Sequence, residues 1–220
     1  MNASNKTRKL TLMAMFAALA YIVMLVGRFP ISSVDFLKYD PKDVILVICG
    51  FILGPMPALL VTFVVSIIEM LTVSSTGVIG LIMNVLSSAG FACTATFVYK
   101  KRHSLRGAAV GLMLGALVMT ALMLLWNYFI TPYYMGMPRE AVAAMLVPVF
   151  LPFNLIKSAL NAAIAMLIYK PVSRALRQIG LTEPAGGKAP EKKSVMGAML
   201  IAALVLVSCI FIVLIMRGII

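Results

Sequence analysis

Charge is scarce in this chain: 12% of its 220 residues are Asp, Glu, Lys or Arg, and the acids number only seven. A soluble domain carries about 25% charged residues. That shortage, set against 62% hydrophobic residues, excludes a soluble globular fold. No polar stretch is long enough for a separate soluble domain. Histidine occurs once, as His103 in YKKRHSLR, where it reads as a solvated side chain rather than a catalytic one. The three cysteines, Cys49, Cys93 and Cys209, lie in apolar segments without CxxC spacing, so they outline neither a zinc site nor a disulfide framework. HExxH, GxSxG with a partner base and the nucleotide-binding GxxxxGK(S/T) are all missing, and no metal-ligand cluster occurs. An enzyme is therefore not expected, nor a resident cofactor or metal; if the protein pumps, another chain must supply the ATP.

What the chain does have is long apolar runs and an excess of basic residues, 19 Lys and Arg for a net charge of +12. In a soluble protein such a balance would point to nucleic acid. Between apolar spans it reads instead as the positive-inside bias, with lipid as the surroundings and no nucleic-acid partner. Span one is Leu10–Gly27, too long and without a clear cleavage site for a removable leader, and it is read as retained. The polar loop Arg28–Asp43 follows, then an apolar run Val44–Leu71 interrupted by Gly54-Pro55-Met56-Pro57. Further spans are Val78–Val98, Ala108–Ile130, Met145–Tyr169 and Val195–Met216.

Charge parity decides whether GPMP is a kink or a hairpin. As a cytoplasmic hairpin it puts the basic residues of the N-terminus, of Lys100–Arg106 and of Lys170–Lys193 on one side: three, four and six, or thirteen of nineteen. As a kink it would split the first two clusters across the membrane. The hairpin reading makes two short helices, of about 14 residues or ~21 Å each against a ~30 Å hydrocarbon core. They must be tilted or shielded by neighbours. Asp40 as N-cap, Pro41 at the first helical position and Asp43 at the third make a start signal for the first of them. The expected fold class is all-α, a polytopic membrane protein with a six-helix bundle in residues 1–178. A basic cytoplasmic linker at 179–194 and a seventh transmembrane helix at 195–216 complete it. The N-terminus is expected in the cytoplasm and the C-terminus outside.

Lys157 lies in the middle of the sixth span, MLVPVFLPFNLIKSALNAAIAMLIY. A lysine at mid-helix costs about 2.5–3.5 kcal/mol on insertion scales, and one retained there faces a cavity or a protein interior. The competing reading is a lysine that snorkels to the interface, which the dozen or so apolar-rich residues on either side disfavour. Asn154, Lys157 and Asn161 share one helical face. Asn127, near the outer end of span five among Trp126 and Tyr128, adds an amide to the outer half of the membrane, though interfacial aromatics are ordinary there. Together these residues fit a flat, amide-like ligand. Asn84 is either a further polar contact or a helix–helix hydrogen bond worth ~0.6 kcal/mol. Glu69 reads as a solvated carboxylate at the outer end of span three. Small residues at spacing four, Ala14 and Ala18 in span one and Gly107, Gly111 and Gly115 in span five, permit close helix approach, a weak signal by itself.

Three separated motifs in order, FLKYDPKD, NYFITPYYMG with MPREAV, and LPFNLIK, resemble the riboflavin-specific substrate-binding subunits of energy-coupling factor transporters. The similarity covers about residues 8–178. It implies a prokaryotic plasma-membrane subunit that captures riboflavin from outside with high affinity. Its implied partners are a transmembrane coupling subunit and two ATPases. The resemblance assigns Asn127, Asn154 and Lys157 to the ring of the vitamin and Leu37, Lys38, Tyr39 and Asp40 to closing the site. It also assigns Ala14 and Ala18 to coupling, through an AxxxA stripe. A loop carboxylate such as Asp40 or Glu140 is a possible counter-charge for Lys157. Three alternatives remain at this level, and the first two are a self-sufficient secondary flavin transporter, for which no internal repeat is found, and a subunit for a different vitamin. A membrane scaffold whose polar groups only join helices is a third. The seventh span departs from a six-helix subunit and is expected to leave the ligand site untouched.

Overall fold

The structure, a computed structural model, describes residues 3–31, 34, 37–178 and 192–216. It is almost wholly helical: α1 (Ala3–Gly27), α2 (Lys42–Leu53), α3 (Pro55–Thr72), α4 (Gly77–Lys101), α5 (Leu105–Phe129), the short α6 (Thr131–Met135) and α7 (Arg139–Met145), α8 (Leu151–Gln178) and α9 (Lys192–Met216). A π-helical turn, Leu146–Phe150, joins α7 to α8. Two two-residue strands, β1 (Phe29–Pro30) and β2 (Lys38–Tyr39), pair antiparallel and tie together the ends of the first loop. Six helical runs, α1, α3, α4, α5, α7 through α8, and α9, are long and apolar enough to cross a membrane. The chain is a multi-pass membrane protein.

The hairpin at Gly54 is real. Gly54 has φ 100° and ψ 172°, a backbone region open essentially to glycine alone, and Pro55 starts α3 with a φ already suited to the helix. Lys42 and Glu69 meet at 2.5 Å, whereas a continuous helix would hold residues 27 positions apart separated by ~40 Å. The shielding expected of two short helices holds for α2, where every residue from Lys42 to Phe51 is buried. It does not hold for α3, which at 18 residues is longer than expected and turns Leu60 and Phe63 outward. At twelve residues α2 is ~18 Å long and packs against α1, α3, α4 and α8 rather than lipid. Its start differs from the cap read in the sequence. The helix begins at Lys42 with Pro41 at the cap position and no side-chain cap bond, because the carboxylates of Asp40 and Asp43 are engaged elsewhere.

Two of the three span-five glycines are needed for backbone contact with α4. A Cβ on Gly111 would lie 2.5 Å from the Ala95 carbonyl oxygen, and one on Gly115 would lie 2.6 Å from that of Phe91. Gly107 instead meets Arg102, in the turn before its own helix, where Ser104 caps α5 by accepting from the Gly107 amide at 3.0 Å.

Two apolar clusters divide the bundle by height. The larger joins the middle and one end of α1, α2, α4, α5 and α8, with Ala165, Met166 and, from α9, Ala202. The second, at the end that carries the first loop, joins Ile31, Leu37 and Tyr39 to Phe150, Phe153 and Ile156, and to Cys209 and Val213 of α9. Residue numbers rise along α9 as they fall along α8, so the two helices run antiparallel. The seventh helix therefore shares an apolar cluster with both ends of the first loop. The assigned linker, 179–194, and the tail Arg217–Ile220 lie outside the described residues apart from the first turn of α9, as does Phe36 of the first motif.

Candidate functional site

A cleft of about 720 Å³, counting its open mouth, lies at the end of the bundle beneath the first loop. The loop contributes Arg28, Leu37, Lys38 and Asp40; α4 contributes Met83, Asn84 and Ser87; α5 contributes Met123 and Asn127. From α8 come Phe153, Asn154 and Lys157, and the α3–α4 turn closes one wall with Val73, Ser74, Ser75 and Thr76. Of the residues expected from sequence, Asn84, Asn127, Asn154, Lys157, Leu37, Lys38 and Asp40 are thus brought together. Tyr39 is not on the cleft wall; it is buried behind it.

The asparagines are held in place. Asn127 donates from Nδ2 to the Met123 carbonyl at 2.7 Å and accepts at Oδ1 from the Thr131 hydroxyl at 2.8 Å. Asn154 donates from Nδ2 to the Phe150 carbonyl at 2.7 Å. Phe150 ends the π-helical turn around Pro148, which cannot donate a backbone N–H. Turns of this kind often mark functional sites. Each amide keeps hydrogen-bonding capacity for a ligand.

Lys157 does not snorkel. Its side chain is 7% exposed, with Nζ 3.3 Å from Asp40 Oδ2 and 3.9 Å from Asp43 Oδ2. Asp40, not the exposed Glu140, is the nearest counter-charge. The pair belongs to a larger buried network. Lys42 Nζ lies 2.5 Å from Glu69 Oε2 and 3.8 Å from Asp40 Oδ2, and Arg28 Nη1 lies 3.2 Å from Glu69 Oε1. Glu69 is 1% exposed, which overturns its reading as a solvated carboxylate. Lys42, read as a loop cation outside, has no exposed surface at all. Three cations face three carboxylates, so a charge that would be prohibitive alone is balanced within the network.

Hydrogen bonds complete the network. Ser88 donates to Asp43 Oδ1 at 2.5 Å, Asn161 donates to Asp43 Oδ2 at 3.3 Å, and Tyr39 donates to Asn161 Oδ1 at 2.9 Å. Asn161 shares its helical face with Asn154 and Lys157, yet it locks the loop to α8 rather than lining the cleft. Burial alone would raise the Asp40 pKa, but Lys157 and then Lys42 outweigh it and hold the carboxyl below its ordinary value. Burial, followed by Asp40 and Asp43, pushes the Tyr39 hydroxyl well above its own, so it remains a donor. Asp40 Oδ1 is buried without a partner among the described residues, which leaves Asp40 with acceptor capacity to spare.

Sequence reasoning missed Arg28, Lys42, Asp43 and Glu69 as a unit. A signal was available: with the chain folded back at Gly54, Lys42 and Glu69 stand twelve and fifteen residues from the turn, at nearly one height.

Buried polar groups converge beneath a loop, inside a bundle of membrane-crossing helices, and together they line one cleft of a multi-pass membrane protein. Comparison with known proteins names the class further. Residues 8–169 match the family described as ECF transporter, substrate-specific component, and the chain belongs to that family. It is 32% identical over 174 residues to the riboflavin transporter FmnP of Bacillus subtilis (strain 168), covering 74% of this chain and 91% of that protein. It is 26% identical over 181 residues to the riboflavin transporter RibU of Staphylococcus aureus (strain TCH60), covering 79% and 95% respectively. Among solved structures it is similar to the S component of a bacterial ECF transporter, with a TM-score of 0.68 and 27% identity over 78% of this chain and 99% of that one. The relatives are transporters, and the chain is grouped with transport proteins rather than enzymes.

Proposed function

We propose that the chain captures riboflavin in this cleft and hands it to an ATP-driven coupling complex. The observation that carries the reading is the meeting of Asn127, Asn154 and Lys157 in one cleft that Leu37, Met83, Met123 and Phe153 also line, in a chain whose relatives are riboflavin transporters. The isoalloxazine ring is flat, with apolar faces and an imide edge that both donates and accepts. Met83, Met123 and Phe153 offer contacts for its faces, and the amides and the Lys157 ammonium offer complementary groups for its edge. Asp40 holds the ammonium in position without consuming all three of its donors. No bond is made or broken; the work is selection and retention.

In this reading the cleft opens outward and the basic N-terminus lies in the cytoplasm, in keeping with the positive-inside bias. A transmembrane coupling subunit approaches the exposed Ala14 and Ala18 on α1, and two ATPases drive release. The test is a titration of the purified protein with riboflavin, followed by quenching of flavin fluorescence. Saturable tight binding is expected, and a preparation from a riboflavin-containing medium should carry a flavin absorption spectrum. Absence of binding by folded protein would overturn the assignment.

A further inference from the structure

The seventh helix is largely exposed, with 17% of its apolar stretch buried. Its buried positions fall on one line. Ala202, Cys209 and Val213 are 6%, 7% and 7% exposed, and Leu206 packs partly buried between them. Positions 202, 206, 209 and 213 are spaced four, three and four apart, a single helical seam. The first half of the seam rests on the apolar core around Ala165 and Met166. The second half shares a cluster with Ile31, Leu37 and Tyr39, both ends of the loop over the cleft. Leu37 also lines the cleft, and Tyr39 is bonded through Asn161 to the charge network beneath it.

Cys209 and Val213 of α9 therefore belong to the same apolar cluster as both ends of the loop whose Leu37 lines the cleft. Displacing Leu37 and Tyr39 would widen the cleft and would take them out of the cluster they share with Cys209 and Val213. The family match ends at residue 169, before α9 begins. The strap is thus additional to the unit that this family shares.

We infer that α9 is a strap that holds Leu37 and Tyr39, at the end of the first loop, against the bundle, with Cys209 and Val213 as positioning residues that set how long the ligand stays. This rests on riboflavin as the ligand. Its signature is kinetic: losing the strap destabilises the closed state, so release accelerates while capture changes little.

The experiment follows riboflavin release and capture by stopped-flow fluorescence in the full chain, in a chain ended after Gly187, and in Cys209→Phe and Val213→Trp, which retain the helix but overfill the contact. Leu204→Trp, on the outward face at 68% exposed, is the control. Release should quicken roughly tenfold or more in the truncated chain and in both contact variants, with capture altered less than about threefold. The control should match the parent. If the truncated chain does not fold, the two contact variants decide alone. Release at the parental rate in folded contact variants would overturn the strap, as would equal acceleration in Leu204→Trp. Failure of the full chain to bind riboflavin at all would instead overturn the ligand assignment.

Discussion

α2 and α9 are opposites. The first is twelve residues long, too short to cross a membrane alone, and buried from Lys42 to Phe51. The second is 25 residues long, has the highest mean hydropathy of the spanning helices at 3.2, and shows most of its surface outward. Yet α2 carries two of the network's charges, and α9 carries none between Val195 and Met216. Hydropathy therefore ranks helices by what they show to lipid. It does not rank them by what they hold. A charged, short helix survives in the membrane here because its neighbours supply both the counter-charges and the missing apolar surroundings.

The sharpest way to break that arrangement is to remove one charge from α2. Lys42→Met leaves Glu69 and Asp40 short of a cation inside the protein, and loss of one partner of a buried pair costs about 3–5 kcal/mol. Thermal unfolding in detergent should show a greater loss than any single substitution in α5 or α1 produces. Adding Glu69→Gln to Lys42→Met should recover part of it. An unchanged melting temperature in Lys42→Met would mean that water or lipid headgroups solvate this site.

A purely steric variant separates charge from packing. Gly111→Ala introduces a methyl 2.5 Å from the Ala95 carbonyl and should cost about 1–3 kcal/mol through overpacking. The loss should appear without a specific change in the charge network. A neutral result would mean that α4 and α5 can separate freely.

The smallest effect on the isolated protein is expected on α1, whose Ala14 and Ala18 are exposed. The double variant Ala14→Leu/Ala18→Leu should fold and bind riboflavin as the parent does, while failing to copurify with a coupling complex or to support ATP-driven uptake. Small residues there allow close helix approach by dispersion contacts. Loss of binding together with uptake would assign the stripe to the core; uptake that persists without the ATPases would make the chain a transporter in its own right.

How much of this was legible in the sequence depends on the range over which the signal acts. The hairpin at Gly54 could be read because parity of basic clusters is a one-dimensional property. The cleft residues could be read because polar side chains are rare in apolar spans, and Lys157 stood out for that reason. The network could not, since its ion pairs and hydrogen bonds join residues as far apart as Tyr39 and Asn161. Glu69 looked solvated because its distance from the helix end was all the sequence showed; its two cations come from α1's end and from α2. The position of α9 was equally hidden. Its apolar run announces a span, but any of many neighbours would satisfy such a surface.

In the proposed function the cleft residues, and Asn154 and Lys157 above all, hold riboflavin. The most direct measurement is a fluorescence titration of Asn154→Ala and Lys157→Ala beside the parent, with folding checked by melting temperature. Each should weaken binding by at least ~1.4 kcal/mol, a factor of ten, because a desolvated group on the ligand loses its partner. Parental affinity in both folded variants would contradict the account and put the vitamin elsewhere.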